Sequence, residues 1–218
     1  MKNIKLFIFD WDGTLIDSIA LIAECLIVSF QELGFGDLSD EKARSIIGLG
    51  LVDALAILTP GRSGDDRQKL LQTYKKHFHA MHANSIQLYP GVFGAILELH
   101  ERKIKLAIAT GKSRQGLERD LHFTNLKPFF HATRTIDECK PKPDPHMITD
   151  ILSELQLSPE EAIMIGDTTF DLEMAAKAGV KSIASLYGAH SMSDLKRFKP
   201  LEYFEDFLSL SRFILKQE

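Results

Sequence analysis

Apolar positions along this chain keep two rhythms, and the change from one to the other divides it. Residues 4–10 are a near-continuous apolar run, the pattern of a strand covered on both faces. From Ile16 to Leu33 apolar residues recur at helical spacing, and the run ends in Gly34-Phe-Gly36. Ser39-Asp40-Glu41 opens another helix with acidic residues in its first turn. Gly48-Leu-Gly50 interrupts before a helix over 51–58, residues 59–64 form a loop, and a third long helix is predicted over 68–83. Tyr89-Pro90-Gly91 then returns the chain to alternation. The pattern predicts helix 92–102, strand 105–110, helix 113–122, a strand near 131–134 and helix 145–156. A capping box at Ser158-Pro-Glu-Glu161 precedes strand 162–166, helix 171–178 and strand 181–186. Strands alternating with helices imply an α/β fold with a doubly wound parallel sheet. The all-helical stretch is the exception and reads as an inserted cap. The expected division is 1–15 and 86–218 for the α/β core and 16–85 for the helical cap.

The chemistry-bearing residues sit where strands are expected to end. Asp10-Trp-Asp12-Gly-Thr14 closes the first strand, and residues two apart on a strand point the same way. Asp10 and Asp12 are therefore expected at the carboxyl edge of the sheet, where open α/β sheets place their ligands. One carboxylate can attack a phosphorus while the other serves the leaving or entering oxygen. A calcium loop of the EF-hand type is excluded, because Thr14 stands at the third ligand position and Leu15 and Leu21 replace its glycine and glutamate. Thr110-Gly111 ends the second strand with a hydroxyl and a closely approachable backbone N–H. Gly111-Lys112-Ser113 imitates the tail of a nucleotide-binding loop, but Leu106 stands where that loop needs glycine. Lys140-Pro-Lys142-Pro-Asp144-Pro145 is a stiff segment that can present a lysine as a fixed cation. Asp167 ends another apolar strand after Gly166, and Asp171 follows it, with Thr168 and Asp171 also spaced as a capping pair. If these ends converge, Asp10, Asp12, Asp167 and Asp171 crowd one crevice. Like charges raise one another's pKa, so such a site asks for a hard divalent cation, and beside a phosphate that cation is Mg²⁺.

The ordered set Asp10-Trp-Asp-Gly-Thr-Leu, Thr110-Gly, Lys140-Pro-Lys-Pro-Asp and Gly166-Asp-Thr-Thr-Phe-Asp171 resembles the haloacid dehalogenase superfamily, in particular its phosphoglycolate-phosphatase-like members with a helical cap. The resemblance implies Asp10 as the nucleophile of an aspartyl-phosphate and Asp12 as general acid and base. It implies Thr110, Gly111 and Lys140 as phosphoryl contacts, with Lys140 rather than Lys142 aligned to the family lysine. Asp10, the backbone carbonyl of Asp12, and Asp167 would ligate Mg²⁺, with Asp171 beside them, directly or through water. The implied reaction is hydrolysis of a small phosphate ester, 2-phosphoglycolate being the first choice. A sugar-phosphate phosphomutase, or a phosphatase of sugar phosphates, nucleotides or pyrophosphate, would use the same residues. A dehalogenase is disfavoured, because its members lack the second aspartate. In the cap, Gly48 and Gly50 are candidates for close approach to substrate and Arg44 for an anion contact. His77, His79 and His82 offer too few facing ligands for a metal and are read as solvated.

Composition narrows the partners. The 218 residues carry a net charge of −4 with both signs interspersed, so no nucleic-acid footprint is expected. No apolar run approaches membrane-spanning length, and with the first strand starting at residue 4 no signal peptide is expected. Two cysteines, Cys25 and Cys139, form no disulfide framework and fit a cytoplasmic protein. A monomer or a homodimer is expected.

Overall fold

The computed structural model describes residues 3–82 and 87–216. The first strand, β1 (Leu6–Phe9), leads into four helices: α1 (Ile19–Glu32), α2 (Asp40–Arg44), α3 (Leu51–Leu58) and α4 (Gly64–His82). Alternation follows: α5 (Val92–Glu101), β2 (Lys105–Ala109), α6 (Arg114–Thr124), β3 (Ala132–Arg134), α7 (His146–Leu155), β4 (Ala162–Gly166), α8 (Thr169–Lys177) and β5 (Lys181–Ser185). The chain closes with α9 (Met192–Leu195), β6 (Tyr203–Phe204) and α10 (Phe207–Leu215). All strands pair in parallel in the order β3-β2-β1-β4-β5-β6.

Strand alternation builds two cores from one sheet. Phe7 and Phe9 face the layer of α5, α6 and α10, against Ile96, Leu117 and Phe207. Leu6 and Ile8 face α7 and α8, against Met147, Ile151 and Met174. Both faces being covered, β1 is buried along its whole length, as its apolar run requires. Chain order reverses across β1, whose neighbours are β2 and β4. That is the switch point at which a crevice opens beyond the carboxyl ends.

The cap has its own apolar centre. Leu26 and Phe30 of α1, Leu55 of α3, and Leu70 and Tyr74 of α4 pack together, each fully buried aliphatic side chain contributing about 1.5–3 kcal/mol over exposure. Two backbone passes join cap and core side by side: Asp17 N–H donates to Gln87 O at 2.9 Å and Tyr89 N–H to Leu15 O at 3.0 Å. The expected boundary at 85–86 lies outside the described residues. Among the described residues, no helix is long and apolar enough to cross a membrane.

Some elements differ from the sequence pattern. Helix α1 starts at Ile19, after a short bridged segment at Asp12 and Ile16 that turns the chain away from the sheet. Helix α4 starts at Gly64, because Asp65 and Asp66 give its first turn an acidic face. Asp171 does not begin its helix. Thr168 is the N-cap, and Asp171 closes a capping box three residues on.

Candidate active site

Backbone pairing places the first carboxylate. Asp10 N–H continues the β1–β4 ladder by donating to Ile165 O at 2.9 Å, so its side chain emerges just past the strand end. Asp167 lies one residue further along, just past the end of β4. Between them, Gly13 adopts φ 85°, and a Cβ there would lie 2.3 Å from Asp167 Oδ2, so the turn needs glycine for backbone and clearance alike. The next residue, Thr14, donates through Oγ1 to Asp167 Oδ1 at 2.9 Å, and Ala189 N–H donates to Oδ2 at 2.8 Å. The first motif thus aims the fourth.

A lysine lies between the carboxylates, and it is Lys142. Its Nζ is 2.6 Å from Asp10 Oδ1 and 2.5 Å from Asp171 Oδ1, with the side chain wholly buried. Lys140 is turned outward. Its side chain is 71% exposed and its ammonium is 3.8 Å from Asp144. The lysine expected beside the aspartates is Lys140, and the structure places Lys142 there instead. The loop tightens into a turn, with Asp144 N–H bonded to Pro141 O at 2.9 Å, and this turn carries the second lysine inward.

Asp10, Asp167 and Asp171 each offer a carboxylate oxygen within 4.8 Å of the others, and all three are buried. Burial, reinforced by Asp171 and Asp167 and opposed by Lys142, holds the Asp10 carboxyl well above its usual range. Burial and the charge of Asp171 push Asp167 up to about 7. Burial alone would lower the Lys142 ammonium, but Asp10 and Asp171 outweigh it and hold it above its usual value. Three carboxylates against one ammonium leave negative charge to balance. Asp10 Oδ2 is buried and has no hydrogen-bond partner. Asp171 is more occupied: its Oδ2 takes Thr168 N–H at 3.1 Å and Oγ1 at 2.6 Å. The donor set fits a divalent cation that prefers oxygen, through Asp10 and Asp167 before Asp171.

Asp12 turns away from this cluster. Ser18 Oγ donates to its Oδ1 at 2.7 Å, and Lys112 Nζ reaches its two oxygens at 3.0 and 3.1 Å. Its carboxylate is thus committed elsewhere, which leaves the backbone carbonyl for any metal contact. Thr110 is buried at the end of β2, where its Oγ1 accepts from Lys112 N–H at 3.2 Å and keeps its own proton to donate. A cavity of about 750 Å³ opens from Asp10, Asp12 and Thr110 toward the cap residues Leu49, Tyr74 and Phe78.

The cap loop sits directly on the core. A Cβ on Gly111 would lie 2.7 Å from the carbonyl oxygens of Gly48 and Leu49, so only glycine admits this contact. Gly48, at φ 100°, abuts Thr168, and Gly48 and Gly50 both line the cavity. Arg44 does not line it. Its Nε pairs with Asp40 one turn earlier at 2.6 Å, which holds it on the outside of α2. Nor are the cap histidines simply solvated. His77 meets Glu32 at 2.6 Å and His79 Nδ1 lies 3.3 Å from Arg119, while the side chain of His82 lies outside the described residues.

Sequence reasoning set Lys142 aside in favour of Lys140 and passed over Ser18, Lys112 and Asp120 as parts of the site. Only Asp120 carries a local signal: it falls on the face of α6 shared with Leu117 and Leu121, where a carboxylate needs a buried partner.

Fold and site together are those of a parallel-sheet hydrolase with helices on both faces and its carboxylates gathered at the strand ends. Residues 7–185 match the profile of the haloacid dehalogenase-like hydrolases, and the chain belongs to that family. It is similar to the pyrophosphatase PpaX of Halalkalibacterium halodurans, 32% identical over 199 residues covering 91% of each chain. Among solved structures it resembles a haloacid dehalogenase-like family hydrolase from Streptococcus pneumoniae, with TM-score 0.83, 27% identity, and coverage of 98% of this chain and 100% of that one. A predicted phosphoglycolate phosphatase from Haemophilus somnus shares the fold at TM-score 0.84 and 21% identity, over 98% of this chain and 99% of that one.

Proposed function

We propose that the protein is a Mg²⁺-dependent phosphatase that passes the phosphoryl group of a small phosphorylated metabolite first to Asp10 and then to water. The observation that carries this reading is Asp10 Oδ2, a buried carboxylate oxygen without a partner at the mouth of the cavity, whose sister oxygen is fixed by Lys142. Oδ2 attacks phosphorus, the bond to the leaving oxygen breaks, and Asp12 donates a proton to that oxygen. Asp12 then takes a proton from the attacking water, and the Asp10–phosphorus bond breaks to return the carboxylate. Thr110 Oγ1 and the Gly111 N–H hold phosphoryl oxygens, while Lys142 offsets their charge. Asp10, the Asp12 carbonyl and Asp167, with Asp171 behind, would hold Mg²⁺, which would supply further charge neutralisation at the phosphoryl group. The seated cap excludes bulk water during the first transfer, and the paired passes at 15–17 and 87–89 are where it would hinge.

Metal binding has a pH signature. Asp10 and Asp167 have folded-state pKa values raised above their unfolded ones, so each favours the metal-free fold at low pH, and that contribution is lost as pH rises, for Asp167 through about 7. Mg²⁺ is therefore expected to raise Tm more at about pH 8 than at about pH 5.5, where protons already occupy the cluster. Thermal unfolding with and without Mg²⁺ at both pH values checks this. An equal shift at both would place the ion elsewhere.

For the substrate, 2-phosphoglycolate is the first compound to assay, and the likeness to PpaX favours pyrophosphate as a second reading. The cavity argues for an organic ester. Ile22, Leu26, Leu71 and Phe78 line its cap side, and pyrophosphate has no carbon to place against them. Each methylene buried there is worth about 0.8 kcal/mol. In a panel of phosphorylated metabolites with Mg²⁺, the best organic monoester is expected to exceed pyrophosphate in kcat/KM by at least about tenfold. Pyrophosphate leading the panel would reverse the assignment.

A further inference from the structure

Lys112 and Asp120 form a buried charge pair to which the reaction above gives no part. The Lys112 side chain is 10% exposed and Asp120 0%. Lys112 Nζ lies 3.0 and 3.1 Å from the oxygens of Asp12 and 3.1 Å from Asp120 Oδ2. An ammonium has three N–H donors, and these contacts use all of them, so Lys112 has none left for a substrate phosphate. Asp120 in turn accepts from Trp11 Nε1 at 3.2 Å, on the residue between Asp10 and Asp12. It therefore grips the catalytic segment twice, through Trp11 and through Lys112. Ser18 Oγ closes the arrangement from the hinge side, at 2.7 Å from Asp12 Oδ1. The cap meets the same group: Lys112 Nζ lies 5.4 Å from the Phe78 ring centroid, a cation–π approach.

We propose that Lys112 and Asp120 are a positioning pair for the Asp12 carboxylate, holding it at the leaving-group side of the cavity and away from the Asp10–Asp167–Asp171 cluster. A helix-borne carboxylate fixes the lysine, and the lysine fixes the rotamer of Asp12. Removing either partner frees Asp12 to swing toward solvent, or toward any cation held by the cluster, and the leaving oxygen loses its aligned proton donor. The pair touches the reaction only through Asp12, so this inference rests on the proton-donor role of that residue.

The test compares kcat/KM for p-nitrophenyl phosphate, whose leaving group needs little protonation, with that for an alkyl phosphate, which needs much. Lys112→Met and Asp120→Asn are each expected to lower kcat/KM for the alkyl ester by about 10²-fold, within the range of a lost general acid. The loss for the nitrophenyl ester should be under about threefold, and KM for either ester should stay near wild type. Lys112→Arg should recover part of the alkyl-ester rate. Asp12→Asn alone should show the same discrimination, and adding Lys112→Met to it should cost little more, because the two act as one unit. If a single variant fails to fold, Lys112→Met/Asp120→Asn, which removes both buried charges together, carries the comparison. Asp12→Asn without leaving-group discrimination would overturn the role of Asp12 itself. Discrimination in Asp12→Asn but equal losses for both esters in the pair variants would overturn the positioning role alone.

Discussion

Asp10→Asn is expected to remove turnover, with kcat falling by at least about 10⁴-fold, the scale on which loss of a covalent nucleophile acts. The amide is nearly isosteric with the carboxylate, so the backbone bond to Ile165 and the contact with Lys142 Nζ persist. It cannot donate an electron pair to phosphorus with comparable strength. The fold should be retained or slightly firmer in the absence of metal. Burial and the neighbouring carboxylates already disfavour the charge on Asp10, and Lys142 keeps Asp171 as a partner. Two measurements check this. Single-turnover assays should detect no phosphoenzyme, and thermal unfolding without Mg²⁺ should give a Tm no lower than wild type. A variant that keeps near wild-type kcat would show that phosphorus is attacked by water directly, with Asp10 serving only as a ligand.

What the sequence revealed and what it hid follow from the range of the interactions involved. The apolar run before Asp10, the helical spacing of residues 16–33 and the alternation after Tyr89 are local patterns, and each corresponds to an element: β1, α1 and the parallel sheet. Strand ends are local too, which is why the sequence alone assigns Asp10, Thr110 and Asp167 to one edge of the sheet. The C-terminal stretch carried a readable signal that the alternation argument stopped short of. Asp206 caps a helix whose Phe207, Leu210 and Ile214 pack under the sheet. Lys112 was hidden for a different reason. Within Gly111-Lys112-Ser113 it looks like part of a phosphate loop that the chain does not have, and only folding brings Asp120 of α6 and Asp12 to it. Arg44 shows the converse: an arginine in a cap helix suggests an anion site, yet Asp40 one turn away claims it.

The two lysines of the Pro-rich loop give the sharpest contrast, because they lie two residues apart and alignment to the family motif favoured Lys140 whereas the fold places Lys142 beside Asp10. Lys142→Ala is expected to lower kcat/KM by about 10³-fold or more, since it removes the cation facing both Asp10 and the incoming phosphoryl oxygens. It should also destabilise the protein by about 3–5 kcal/mol, the usual cost of leaving a buried carboxylate pair without its cation. Added Mg²⁺ should recover part of that stability but not the rate, because a cation bound among the aspartates does not restore the ammonium that orients Asp10 Oδ1. Lys140→Ala, on an exposed side chain loosely paired with Asp144, should stay within about 0.5 kcal/mol and twofold of wild type. Steady-state kinetics and unfolding of the two variants side by side decide the matter. A large loss in Lys140→Ala with a mild effect in Lys142→Ala would mean that the loop refolds around substrate and exchanges its lysines. The arrangement of Asp10, Lys142 and Asp171 would then describe a resting state rather than the reactive one.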